Sequence, residues 1–227
     1  MQKISIVLSV FNDQDNIVNA INSIIYQTYN NIELLVINDC SSDRTGEILN
    51  TFSKKDKRIK VFNNTSNLGL TKSLNLLIEE STGDFIARQD SDDISMLNRL
   101  EEQISFINNK KLSGCSTMSF IKNTTKIIHK KSTIINPKIV LNFKNPFVHG
   151  SYMINKKDLN SLGNYDERFY FAQDYKLIKD VFEQKLKFKI LKKPLYVLNR
   201  SNNISTNYQK EQNYYASCVR KGVIPNA

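Results

Sequence analysis

Three carboxylates crowd into four residues at Asp90-Ser91-Asp92-Asp93, directly behind the apolar run Phe85-Ile86-Ala87. Carboxylates this close repel one another unless a proton or a cation neutralises them. Their hard oxygens suit Mg2+ or Mn2+, ions that commonly hold substrate phosphates at the same time. A solvated turn whose aspartates cap the next helix would use the same residues. The chain has neither G-x-G-x-x-G after a strand nor G-x-x-x-x-G-K-[ST]. A nucleotide bound here would therefore have its phosphate charge met by a metal, not by a loop of backbone amides. Dehydrogenases and P-loop ATPases are disfavoured on the same ground.

Strands and helices must present those carboxylates. Residues 4–11 are an apolar, β-branched run that reads as a buried strand, and Ile17, Ile21, Ile24 and Ile25 recur at helical spacing to about Gln27. Ile32–Asn38 is apolar without alternation, as expected of a strand covered on both faces. Ser42 or Asp43 can cap a helix running to about Ser53. A strand at Arg58–Asn63, a helix at Leu70–Glu80 and a strand at Asp84–Gln89 follow. Such alternation predicts an open α/β sheet of parallel strands with crossover helices. Ligands of open α/β sheets lie beyond the carboxyl ends of the strands, where Ser9–Asn12, Asp39 and the aspartate cluster fall.

Beyond Asp93 the pattern changes. Leu97–Asn109 reads as a helix, and apolar pieces at 115–121, 125–129 and 148–154 suggest an added antiparallel or mixed sheet. Residues 172–184 read as a helix, 186–199 as one or two strands around Pro194, and 207–221 as a polar, helical tail. Neither an internal repeat nor a linker long enough to divide the chain is visible, so residues 1–227 are expected to form one domain, with a ligand-binding half at 1–109 and a second half at 110–227.

The ordered runs ISIVLSVFND, IIYQTYNNIELLVINDCSSDRT, NLGLTKSLN and TGDFIARQDSDDIS resemble the inverting family 2 glycosyltransferases. NPFVHGSYMINKKDLNSLGNYDERF and AQDYKL extend the resemblance over nearly the whole chain. The stretch IARQDSDDIS is most similar to the branch that builds bacterial capsules, exopolysaccharides and surface glycans. The resemblance implies a GT-A fold, with a nucleotide-sugar-binding half joined to an acceptor-binding half. It places Ser9 and Asp39 at the base and ribose, Asp90 toward ribose or metal water, and Asp92 on the Mn2+ or Mg2+ that faces the diphosphate. Asp93 would contact the donor or cap the next helix, and Arg88 would pair with these aspartates or reach a phosphate. Asp174 matches the base that takes the acceptor proton. As an ordinary aspartate in the first turn of a helix it would favour the helix dipole, which lowers its pKa, so burial would have to offset that effect.

Two departures stand out. Gln173 occupies a position where the family usually has Glu, and Arg200 falls near where many members carry a metal-binding His. A guanidinium cannot ligate a cation, so water would complete the metal shell or Arg200 would bind the phosphates. His149, in NPFVHGSY, suits a donor or acceptor pocket or a buried structural role. The implied reaction is metal-dependent transfer from a nucleotide sugar, a UDP-sugar above all, to a hydroxyl of a growing glycan that can be lipid-linked. The rivals are a catalytically impaired nucleotide-sugar binder or scaffold, and a sugar nucleotidyltransferase, whose glycine-rich N-terminal loop is missing.

Charge divides the chain. Residues 1–109 carry 10 basic and 15 acidic side chains, whereas residues 110–227 carry 22 and 7, within a net charge of +10. The basic half suits an anionic partner, unless its lysines are simply solvated. No helix-turn-helix, zinc or RNA-binding signature accompanies it, so nucleic acid is not expected. Cys40, Cys115 and Cys218 are scattered and odd in number, which favours a reducing compartment. The first apolar run is too short to span a bilayer. The expected location is cytoplasmic, with peripheral attachment to the inner face of the membrane through the lysines of 176–193.

Overall fold

The first strand, β1 (Ile4–Val10), runs parallel to β2 (Ile32–Asn38), with Val7 opposite Leu35. The computed structural model describes residues 1–128, 136–200 and 208–226. His129, at the end of the 125–129 run, and residues 201–207, which hold most of NRSNNIS and the start of the expected tail, lie outside the described residues. β3 (Ile59–Asn63) pairs parallel with β2, and β4 (Phe85–Arg88) pairs parallel with β1. Helices α1 (Ile17–Ile25), α2 (Thr45–Lys55) and α3 (Leu70–Glu80) are the crossovers expected from the alternation. Asp43 accepts the Thr45 N–H at 2.9 Å, holding the first turn of α2.

After β4 come β5 (Ile94–Ser95), α4 (Arg99–Lys110), β6 (Gly114–Ile121) and β7 (Ile127–Ile128). A short α5 (Pro137–Val140), a 3-10 turn at His149–Ser151, β8 (Met153–Asn155) and α6 (Lys156–Ser161) follow. The chain ends with α7 (Gln173–Glu183), β9 (Phe188–Leu198) and α8 (Gln209–Lys221). The later strands continue the first sheet: the order is β3-β2-β1-β4-β8-β6-β9-β5, with β7 on β6. β8 is antiparallel to both β4 and β6, and so joins the two halves edge to edge. Residues 186–199 supply one long strand, and its pairing with β6 jumps from Leu191 to Pro194. Proline has no N–H for the ladder, so the break in register falls where pairing is weakest.

Both faces of the sheet are covered, which explains why Ile32–Asn38 lacks alternation. Val7, Leu35, Ile37 and Ile86 pack with Leu74 and Ile78 of α3 and Leu177, Ile178 and Val181 of α7. Ile6, Leu8, Leu34 and Val36 pack on the other face with Ile21 and Ile24 of α1, Leu49 of α2, and Leu100 and Ile104 of α4. The charged residue of β2 is Glu33, which is buried and answered by Lys3 at 3.0 Å, Lys60 at 3.1 Å and the Ser5 hydroxyl at 2.6 Å.

Candidate active site

β1, β2 and β4 are parallel, so their carboxyl ends share one rim of the sheet. Ser9 is half-buried near the end of β1, Asp39 follows β2, and Asp90–Asp93 follow β4. The backbone ties the rim together: the Asp39 N–H donates to the Val10 carbonyl at 2.8 Å and the Gln89 N–H to that of Val7 at 3.2 Å.

Asp39 is buried and clamps the loop before α3. Its Oδ1 accepts from Asn64 Nδ2 at 2.7 Å and the Leu68 N–H at 2.9 Å, and its Oδ2 accepts the Gly69 N–H at 2.9 Å. Gly69 has φ +83°, and a Cβ there would collide with the ring of Tyr170. Only glycine therefore lets this loop meet Asp39 under that ring.

Arg88 is 1% exposed, pairs through Nη2 with Asp90 Oδ1, and donates from Nη1 to the carbonyls of Val7 at 3.1 Å and Gln89 at 3.0 Å. Asp93 is also buried, and its Oδ1 accepts the Asn199 N–H at 2.6 Å, which ties the end of β9 to the cluster. Burial and the charges of Asp90 and Asp92 push the Asp93 carboxyl well up. Burial raises Asp92 to about 6, with the charges of Asp90 and Asp13 adding to the rise and Lys122 opposing it. Asp13, on the segment after β1, accepts from the Ser91 hydroxyl at 2.6 Å. The rim is thus a site of excess negative charge that favours either protons or a cation. The donor set is all carboxylate oxygen, which fits Mg2+ or Mn2+ in chemistry, although no cluster of three or more acidic, His or Cys ligands is preassembled among the described residues.

Asp174 lies in the first turn of α7, and its carboxyl is raised by burial despite the opposing hydrogen bond from Asn145 and the backbone N–H groups of Tyr175 and Asp174. Asp90 is close enough to contribute to the same rise. Burial therefore outweighs the helix end, the condition under which an aspartate here becomes a usable base. Gln173 is buried beside it. His149 bonds through Nε2 to the Tyr165 hydroxyl at 2.8 Å and meets the rings of Tyr152 and Tyr165 edge-on. Burial and the charge of Arg88 hold His149 well below the usual imidazole pKa, so it is neutral. Arg200 is exposed just past β9 and forms no ion pair with the aspartates among the described residues.

Some neighbours of the rim carried no sequence signal. Tyr196 sits 106 residues from Asp90 and accepts its N–H at 3.1 Å. A Cβ on Gly150 would strike both Tyr196 Oη and Asp90 Oδ2. Buried Arg99 lies over the Tyr196 ring and donates to the Arg88 carbonyl at 2.9 Å and the Gly150 carbonyl at 3.0 Å. Asp13 alone was findable, as another carboxylate behind a strand. A concavity of about 600 Å3 lies elsewhere, between α3 and α7, lined by Asn75, Asp166, Arg168, Lys176 and Asp180 among others. Its two cations are already paired, Arg168 with Asp166 and Lys176 with Asp180, so charge and not concavity marks the rim.

A parallel sheet joined by an antiparallel strand to a second group of strands, with carboxylates along the joint rim, is the architecture of GT-A glycosyltransferases. TarS of S. aureus, residues 1–349, solved with UDP-GlcNAc, aligns with a TM-score of 0.76 at 20% identity over 91% of this chain and 61% of that one. The mannosyltransferase PcManGT of Pyrobaculum calidifontis, solved with GDP-Man and Mn2+, aligns at 0.77 and 15% identity over 99% and 66%. Residues 5–163 match the family described as Glycosyl transferase family 2, and the chain belongs to it. EpsE of Bacillus subtilis strain 168 is 29% identical over 207 residues, 88% of this chain and 74% of the relative. An uncharacterized glycosyltransferase of Haemophilus influenzae is 28% identical, covering 96% and 72%. The chain spans 39% of the longer TarS chain.

Proposed function

We propose that this protein transfers a sugar, with inversion, from a nucleotide donor to a hydroxyl of a bacterial surface glycan. A UDP-sugar is the proposed donor and a lipid-linked glycan the proposed acceptor. The observation that carries this reading is the pairing of two carboxylate environments: the crowded rim of Asp90, Asp92 and Asp93, and the desolvated Asp174 within electrostatic reach of Asp90. The rim suits a cation that neutralises a leaving diphosphate, and Asp174 suits a base.

In this reading Asp92 and Asp90 would hold Mn2+ or Mg2+, which would supply Lewis-acid stabilisation of negative charge on the diphosphate. Ser9 and Asp39 line the nucleoside side, Asp39 by fixing the loop that carries Leu68 and Gly69 as well as by its own carboxylate. Arg88 keeps Asp90 in place through their ion pair, and Asp93 anchors the end of β9 on which Arg200 follows. Arg200 meets the phosphates from that position. Asp174 takes the proton of the acceptor hydroxyl as its oxygen attacks the anomeric carbon opposite the leaving group. Neutral His149 shapes the adjoining pocket, oriented by Tyr165.

A panel of nucleotide sugars, including UDP-GlcNAc and GDP-mannose, tests this by calorimetric binding and by release of nucleoside diphosphate, with and without Mn2+. Metal-enhanced binding of one donor, with release on adding acceptor, is the expected result. Binding without any release supports the impaired-binder alternative suggested by Gln173 and Arg200. Conversion of a nucleotide sugar and added pyrophosphate into nucleoside triphosphate and sugar 1-phosphate would indicate a nucleotidyltransferase instead.

A further inference from the structure

Asn145 opens the run NPFVHGSY but was given no role there, yet its one amide group joins two polar side chains of the site. Its Nδ2 donates to Asp174 Oδ2 at 2.6 Å and to the Tyr152 hydroxyl at 2.8 Å. Its Oδ1 accepts the Phe147 N–H at 3.0 Å. That last bond decides which way the amide faces, because a backbone N–H can only donate. Both N–H groups of Nδ2 are thereby committed, one to the carboxylate and one to the phenol. Tyr152 is 2% exposed and held edge-on by His149 and Phe188, so it is a fixed second anchor for the amide.

We propose that Asn145 is a positioning residue for Asp174: locked by Phe147 and Tyr152, its amide holds Oδ2 and sets the orientation in which the carboxylate meets the acceptor hydroxyl. The inference rests on the reading of Asp174 as the base. Its physical logic is a balance of opposing influences. Burial and the charge of Asp90 favour the protonated acid, while the Asn145 amide and the α7 backbone N–H groups favour the carboxylate. Tyr152 and Tyr165 are the other titratable groups facing it, and burial pushes both phenols up and keeps them neutral. His149, in contact with both phenols, is neutral as well. Among the described residues, no cation stands with the amide among the main influences on Asp174. Without Asn145, a larger share of Asp174 carries a proton at neutral pH and cannot act as a base.

Carbon-13 carboxyl NMR of the full chain tests this directly, with the Asp174 signal assigned by its loss in Asp174→Asn. Asn145→Asp keeps the shape and the acceptor for the Phe147 N–H but puts an anion where the donor stood. Asn145→Ala removes the group altogether. Both are expected to move the Asp174 titration upward, Asn145→Asp more, whereas Tyr152→Phe moves it less because the bond to Asp174 survives. Release of nucleoside diphosphate from UDP-GlcNAc or GDP-mannose is followed in the same variants. The ratio of the rate at pH 6 to that at pH 8 is expected to fall about tenfold in Asn145→Asp. An Asp174 titration that stays in place in both Asn145 variants overturns the proposal. A titration that moves while the pH dependence of the rate does not overturns instead the assignment of Asp174 as the base.

Discussion

The guanidinium of Arg88 donates to Oδ1 of Asp90 and is itself 1% exposed, so the first aspartate of the cluster is already answered by a buried cation of the fold. Arg88 also donates from Nη1 to the Val7 and Gln89 carbonyls, which fixes the guanidinium at the strand ends. Neither Asp92 nor Asp93 has such an ion pair among the described residues, and at Asp92, the less buried of the two, a divalent ion would matter most.

That relationship predicts opposite effects of one substitution on stability and on metal response. Burial and the charges of Asp90 and Asp13 hold Asp92 at about 6, above its ordinary 3.8. The folded state therefore binds more protons than the unfolded chain between those values, and stability falls as pH rises through that window. Allowing for solvent access to Asp92, the loss above pH 6 is about 1–2 kcal/mol. Asp92→Asn is expected to raise the neutral-pH melting temperature of the metal-free protein and to abolish the further rise given by Mn2+ with UDP. Thermal melts with titrated Mn2+ measure both; a mutant that keeps the metal response removes Asp92 from the metal site.

Asp174→Asn is expected to bind the donor as the wild type does and to lose transfer by about 10²–10⁴-fold. Asparagine preserves shape but cannot accept a proton at neutral pH. Calorimetry with UDP-GlcNAc or GDP-mannose and a turnover assay separate the two effects. A folded mutant retaining most of its kcat would show that Asp174 serves only the first turn of α7.

Glu33 gives a pH dependence of the opposite sign, away from the site. Burial alone would raise its carboxyl, but hydrogen bonds from Ser5, the Thr82 backbone and side chain, and Lys3 bring it down to about 2. Its stabilisation is present above its ordinary value near 4.5 and is lost as pH falls toward about 2. Glu33→Gln should lower stability at pH 7 by about 1–3 kcal/mol and flatten the acid limb between pH 5 and 2. Urea unfolding across that range checks it; parallel acid limbs in mutant and wild type would assign the limb to other carboxylates.

The first half of the fold was legible because parallel strands covered on both faces write themselves as apolar runs, and their crossovers as 3.6-residue periods. The second half was less so. β5 and β7 have two residues each, and β8 has three, too few for any period to emerge. Their strand character comes from pairing with Val197, Phe120 and Ala87 across the sheet. The long β9 was blurred by Pro194, where the ladder slips. Carboxylates of the candidate site were visible from residue type and position. The groups that hold them were not, because Tyr196, Asn199 and Asn145 reach Asp90, Asp93 and Asp174 over separations of 106, 106 and 29 residues.

The lysines of the basic half provide the last test. Lys176 is paired with Asp180 at 2.6 Å and Lys193 with Glu102 at 2.7 Å, so neither has its full charge to offer a surface. Lys185, Lys187, Lys189 and Lys192 are exposed. Lys187 and Lys189 flank buried Phe188 and so share one side of the chain as it enters β9, and Lys192 stands where the pairing with β6 skips to Pro194. No helix among the described residues is long and apolar enough to cross a membrane. Attachment through these lysines would therefore be electrostatic, about 1 kcal/mol for each residue close to anionic lipid and weaker as salt rises. Changing Lys185, Lys187, Lys189 and Lys192 to Gln should release the protein from phosphatidylglycerol vesicles. Changing Lys54, Lys55 and Lys57, exposed at the end of α2, should not. Co-sedimentation at two salt concentrations reads the difference, and equal binding of both variants, or of the wild type to neutral and anionic vesicles alike, would show that these lysines serve only solubility.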